Sequence, residues 1–176
     1  MSREARPEFT VEGRRVVVVG GARSGAAAAE LLSTRGAQVT VTDVQDDIES
    51  REHLESLGVN LELGGVRAES LVAADLVVLS PGVPGERPEI AAARRAGVPV
   101  IGEVELASRW LKGSLVAITG TKGKSTTTAL AGRMLESGGL KVMVGGNIGR
   151  ALSSQVAEST PDVVHVVEVS SFQLEQ

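Results

Sequence analysis

Residues 115–130 read LVAITGTKGKSTTTAL, an apolar run that passes through a glycine-bearing loop into a helical pattern opened by Lys124 and Ser125. Positions 115–118 are all apolar, the pattern of a strand buried on both faces of a parallel sheet. Gly120 and Gly123 can take backbone angles closed to other residues, so that successive N–H groups point at one anion. Lys124 adds a charge for the outer phosphates of a nucleotide, and Ser125 offers a hydroxyl to a magnesium ion. The helix that follows turns its positive end to the same spot. The pattern departs from the usual phosphate-binding loop at Ile118, where the first glycine is expected; that glycine has moved to Gly120. A Gly-Lys-Ser triplet also occurs in ordinary turns, and the strand before it and the helix after it are what favour a phosphate ligand here.

Upstream, residues 15–20 (RVVVVG) repeat the buried-strand pattern. They are followed by Gly21-Ala22-Arg23-Ser24-Gly25 and by AAAAELLSTRG, a helix expected to end at Gly36. Residues 37–43 (AQVTVTD) form the next strand and close on Asp43. Strand, glycine turn, helix and a strand ending in an acid make a dinucleotide-type βαβ unit, except that Ala22 occupies the position where glycine lets a pyrophosphate approach. The turn therefore holds NAD, a different nucleotide-bearing ligand, or no ligand at all. Residues 45–57 read as a polar helix stopped by Gly58, with His53 solvated, and residues 59–71 as a short strand and loop.

Residues 74–79 (ADLVVL) give a fourth strand, leaving through Ser80-Pro81-Gly82-Val83-Pro84-Gly85. That rigid loop lies where open α/β sheets place ligands, or is a plain exit turn. A helix over 89–96, an edge strand over 98–101 marked by Pro99 and a helix over 103–111 bring the chain to Lys112-Gly113-Ser114, which reads as a linker. Beyond the phosphate loop and a helix to Ser137, a strand over 140–144 ends in GGNIG, whose Asn147 either holds a substrate group or sits in a bare turn. A helical stretch over 150–157 then leads to the strand 163–169. Within that strand His165 reads as a packed histidine. Glu168 stands where a carboxylate can hold magnesium opposite the loop hydroxyl, or is structural. The fold class is α/β throughout: a Rossmann-like parallel-sheet domain at 1–112, then an incomplete P-loop α/β domain at 113–176.

Composition narrows the function. Eighteen basic and 22 acidic residues leave a net charge of −4, and Phe9, Trp110 and Phe172 are too scattered to stack bases, which argues against nucleic acid. The absence of cysteine excludes disulfides and thiolate metal sites. No apolar run approaches a membrane span, and the amino-terminal MSREARPEF lacks the apolar core of a secretory signal, so a cytoplasmic protein is expected.

Four stretches together resemble the Mur ligases of peptidoglycan synthesis. They are the turn 20–25, SPGV at 80–83, TGTKGKSTT at 119–127, and GGNIG at 145–149 paired with EVSSFQLE at 168–175. The nucleotide loop is common to the whole superfamily, folylpolyglutamate synthases included; the other stretches resemble the branch that adds D-glutamate. The resemblance implies an ATP- and magnesium-dependent amide-forming ligase acting on UDP-N-acetylmuramoyl-L-alanine and D-glutamate. It implies that Gly120, Thr121, Lys122, Gly123, Lys124, Ser125 and Thr126 hold ATP, although relatives often carry asparagine where Lys122 stands. Lys124 and Glu168 would serve catalysis, with Ser125 and Glu168 on the metal. Arg23, Ser24, Asp43, Ser80 and Gly82 would hold the UDP portion, and Asn147, Ser170 and Gln173 the muramoyl-alanine portion. Family members continue well past residue 176, so this chain is expected to be an amino-terminal part with little turnover alone. Two alternatives stay open, a non-catalytic UDP-sugar-binding module and another Mur ligase. A sheet cut after Glu168 is expected to leave apolar surface exposed.

Overall fold

The computed structural model describes residues 9–147 and 149–170 of the 176-residue chain. Strands β1 (Arg15–Val19), β2 (Gln38–Thr42), β3 (Asn60–Glu62), β4 (Leu76–Leu79) and β5 (Val100–Gly102) form one sheet in the order β3-β2-β1-β4-β5, with every pair parallel. The central strand explains its own sequence. Val16 and Val18 of β1 pack with Ala28, Ala29 and Leu32 of helix α1 (Arg23–Ser33) on one face. Val17 and Val19 pack on the other with Leu71 of α3 (Ala68–Val72) and Ile90 and Ala93 of α4 (Pro88–Arg95). A strand covered on both faces has no polar side to show, hence the unbroken valines. Pro88 opens α4, where its missing N–H leaves no helical bond unmade. β5 lies at the sheet edge, as Pro99 suggested.

Two stretches differ from their sequence reading. Of residues 45–57 only α2 (Arg51–Ser56) is helical, because the backbone before it is used elsewhere: the Gln45 N–H donates to Asp43 Oδ1 at 2.9 Å and its carbonyl accepts from Gly64 at 2.8 Å. Residues 59–71, expected as strand and loop, also contain most of α3.

After α5 (Glu103–Ser108), strands β6 (Ser114–Ile118), β7 (Lys141–Gly146) and β8 (Val163–Glu168) form a second parallel sheet in the order β6-β8-β7. Helix α6 (Lys124–Ser137) follows β6, and α7 (Leu152–Gln155) runs into a 3-10 turn (Val156–Glu158) before β8. The expectation that residues 115–118 are buried on both faces does not hold. Leu115 and Val116 are 40% and 41% exposed, because β6 is an edge strand with no partner beyond it among the described residues. Leu130, Met134 and Leu140 add to that apolar surface. The two sheets are joined by a buried cluster that contains Leu31 of α1, Val104 and Ala107 of α5, Leu152, Val156, and Val167 of β8. Among the described residues no helix is long and apolar enough to cross a membrane.

Candidate functional site

In the first sheet, Val19 at the end of β1 pairs with Thr42 of β2 on one side and Leu79 of β4 on the other, so Gly20, Asp43 and Ser80 leave the sheet side by side. The sheet order reverses between β1 and β4, the position where open α/β sheets form a crevice. Helix α1 starts directly under the turn because Gly25 has no side chain; a Cβ there would lie 1.7 Å from the Gly20 carbonyl oxygen. Its N-cap is Ala22, which supplies no side-chain cap, leaving the first N–H groups of the helix to an outside acceptor. Ser80 Oγ is buried beside this turn and has no hydrogen-bond partner among the described residues.

The second sheet brings three loops together in the same way. Glu168 is opposite Ile118 of β6 and Gly146 of β7, so the glycine-bearing loop after β6, the loop after β7 and the Glu168 carboxylate meet at the carboxyl ends of the strands. Gly123 holds the left-handed conformation at φ +75° and caps α6 with no side-chain bond. Ser125 Oγ donates to Glu168 Oε2 at 2.6 Å, and Lys124 Nζ donates back to the Gly120 carbonyl at 2.8 Å. Thr121 and Lys122 are exposed on the loop, and Thr126 is exposed in the first turn of α6. Ser125 and Glu168 present hard oxygens of the kind magnesium takes alongside phosphate and water. Among the described residues no cluster of three or more acidic, histidine or cysteine groups forms a metal site.

The structure gathers five of the sequence-derived candidates from both sheets. Arg23, Ser24, Ser80 and Gly82 share a cavity of about 310 Å³ with Asn147. Around the turn, a larger cavity of about 690 Å³ is lined by Asp43, Arg23, Glu30, Asp47 and Glu49. The Asp43 carboxylate is already engaged, accepting from Gly21 N–H at 2.6 Å and from Gln45 N–H. Ser170 lies just past β8, and Gln173 falls outside the described residues. The acids Glu30, Asp47 and Glu49 were not singled out from sequence, since Glu30 is a lone acid in an alanine-rich helix and Asp47 and Glu49 fall in a polar stretch, where no pattern distinguishes them from a solvated face.

Known proteins resemble this chain in sequence and fold. Residues 14–102 match the Mur ligase MurD-like, N-terminal domain. The UDP-N-acetylmuramoylalanine--D-glutamate ligase of Anaeromyxobacter dehalogenans is 53% identical over 174 residues, 97% of this chain and 37% of that protein. The enzyme of the same name from Koribacter versatilis is 45% identical over 168 residues, 94% of this chain and 37% of that protein. Among solved structures, a pseudomurein peptide ligase type C from Methanothermus fervidus aligns with a TM-score of 0.54 at 26% identity, over 90% of this chain and 33% of its own. The chain thus spans 37% of the length of these two sequence relatives. With just over half of the chain, β1 through β5 complete, inside the matched domain, this chain belongs to the Mur ligase family and carries its MurD-like N-terminal domain.

Proposed function

We propose that this chain is the substrate- and nucleotide-binding front of a cytoplasmic, ATP-dependent ligase that adds D-glutamate to UDP-N-acetylmuramoyl-L-alanine in peptidoglycan synthesis. Residues 1–112 take the UDP-sugar, and residues 113–176 begin the ATP-binding domain. One observation carries this reading: Asn147 N–H donates to the Glu168 carbonyl at 3.0 Å. The loop lining the Arg23–Ser80 cavity is thereby joined to the strand end whose carboxylate faces Ser125. A ligand laid from one sheet to the other brings its far carboxylate to the outer phosphate of a nucleotide.

Charge sorts the two ends of the sugar nucleotide. The larger cavity sets Glu30, Asp43, Asp47 and Glu49 against Arg23. It repels a diphosphate and suits neutral uracil and ribose, whose N–H and O–H groups can donate to carboxylates. The smaller cavity has Arg23, Ser24, Ser80 and Asn147 and no acid, and it lies at the uncapped start of α1, which suits the diphosphate. Asn147 and Ser170, at the far end of the smaller cavity's loop and just past β8, then serve the muramoyl-alanine portion, the role the family resemblance also gives Gln173.

In the reaction, an oxygen of the alanine carboxylate attacks the γ-phosphorus as its bond to ADP breaks, giving an acyl phosphate. The amine of D-glutamate adds to the acyl carbon, phosphate leaves, and the amine gives up a proton. Lys124 exchanges the Gly120 carbonyl for the γ-phosphate, and the loop N–H groups cradle the remaining oxygens. Magnesium bound at Ser125 and Glu168 would neutralise phosphate charge. Holding the UDP end remotely offsets the repulsion between two anions that must meet.

Calorimetry with UDP-N-acetylmuramoyl-L-alanine and with Mg-ATP tests the reading. Lys124→Ala is expected to abolish nucleotide binding while sugar-nucleotide affinity stays within about twofold, the two sites sharing no partner at that residue. Equal loss of both ligands would overturn the two-site division, and binding of NAD in place of the sugar nucleotide would overturn the ligase reading. Steady ADP release by this chain alone would show that it needs no further polypeptide for turnover, contrary to expectation.

A further inference from the structure

We infer that Gln155 is a positioning residue for sugar-nucleotide binding, holding the 145–149 loop and its Asn147 through a buried one-way hydrogen-bond chain that starts at the linker between the sheets. The inference rests on the assignment of the Arg23–Ser80–Asn147 cavity to the sugar nucleotide. Ser159 Oγ accepts from the backbone N–H groups of Lys112 at 2.9 Å and Gly113 at 3.3 Å. Its lone pairs are thus occupied, and its own hydrogen goes to His165 Nε2 at 2.9 Å. Nε2 being the acceptor, the ring proton sits on Nδ1, which donates to Gln155 Oε1 at 3.1 Å. That bond fixes which way the amide points. Gln155 Nε2 faces the carbonyls of Val144 at 3.3 Å and Arg150 at 3.5 Å.

Ser159 is 2% exposed, and His165 and Gln155 are fully buried, so water does not compete for these bonds. Val144 precedes the 145–149 loop and Arg150 follows it, so one amide clasps both ends. The fit is close: a Cβ on Gly145 would lie 2.1 Å from Gln155 Nε2. Gly146 N–H donates to the Arg150 carbonyl at 2.9 Å, closing the base of the loop, and Asn147 is left to reach the cavity. An apolar side chain of the same length fills the space at 155 but leaves the His165 N–H without its acceptor and both loop ends without their donor.

The test is a double-mutant cycle on the full chain, Gln155→Met with Asn147→Ala, read as affinity for UDP-N-acetylmuramoyl-L-alanine well below the melting temperature of every variant. Gln155→Met alone is expected to weaken binding about tenfold, and by less than about twofold once Asn147 is already alanine, because its effect passes through Asn147. Unchanged affinity, or the same loss in both backgrounds, would overturn the inference; a residue that only supports the fold lowers the melting temperature without this coupling. If Gln155→Met does not fold, Ser159→Ala cuts the chain at the linker end and goes through the same cycle. Absence of sugar-nucleotide binding by the unaltered chain refutes the cavity assignment instead. Amide exchange at Gly146 and Asn147 then decides what remains: faster exchange in Gln155→Met supports the clasp, and equal exchange overturns it.

Discussion

His165 is set against protonation by its surroundings. Burial lowers its pKa from the ordinary 6.5, and the Ser159 hydroxyl already occupies the nitrogen that a second proton would need. The unfolded chain accepts that proton first as pH falls. The stability tied to neutral His165 is therefore complete above pH 6.5 and is lost as pH drops through the lowered folded value. Urea unfolding in steps from pH 8 to pH 5 is expected to show a falling midpoint that is flatter in His165→Gln; parallel curves would remove His165 as the source. The packed character of this residue was legible from its place in an apolar strand. Its partners were not, since Gln155 and Ser159 lie among serines on a short helix and its following turn, where no periodicity marks a buried polar group. Asp43 was read from sequence only as a candidate ligand residue, whereas its carboxylate also pins the turn by accepting from Gly21 and Gln45.

At the scale of elements, α7 depends on a residue from the helix that follows the first sheet. Its N-cap, Ala151, offers no side-chain acceptor, and the Ser153 N–H instead donates to Glu103 Oε1 at 2.7 Å. Glu103, the first residue of α5, is fully buried, and its second oxygen has no hydrogen-bond partner among the described residues. Burial raises its pKa from the ordinary 4.5, an effect the Ser153 hydrogen bond only partly opposes. The folded chain thus keeps this proton to higher pH than the unfolded one, and stability decreases as pH rises through the raised value. Glu103→Gln keeps an acceptor for Ser153 and removes the buried charge. It is expected to raise stability at pH 8 by on the order of 1 kcal/mol, with no gain at pH 4. A loss at pH 8 in urea unfolding would mean that the carboxylate itself is needed. Long elements such as α1 and α6 were readable because each completes several turns of its pattern. Helices α2, α3 and α7, of 6, 5 and 4 residues, are too short to establish a period and are held by tertiary contacts instead.

Across the whole molecule the two halves of the candidate site stand on unequal foundations. Val16, Val17, Val18 and Val19 of β1 are at most 5% exposed, whereas Leu115 and Val116 of β6 are 40% and 41% exposed, with Leu130 and Met134 of α6 open beside them. Sequence expected the exposed apolar surface at the strand of Glu168 and a buried β6, whereas β8 is central and the exposure lies on β6 and α6, because an apolar run reports what a strand is fit to bury, while its neighbours decide whether it is buried. Amides of β6 and α6 are expected to exchange through an opening that takes less free energy than global unfolding, and those of β1 only through global unfolding. A single opening free energy for both strands in native-state exchange would contradict this. The thinly covered strand is the one that leads into the loop of Gly120 and Gly123. If the loop holds a nucleotide as proposed, opening of β6 would divide the intrinsic dissociation constant by the fraction of time the loop is assembled. On the same proposal, anything that roofs β6 is expected to tighten nucleotide binding without touching Lys124 or Ser125.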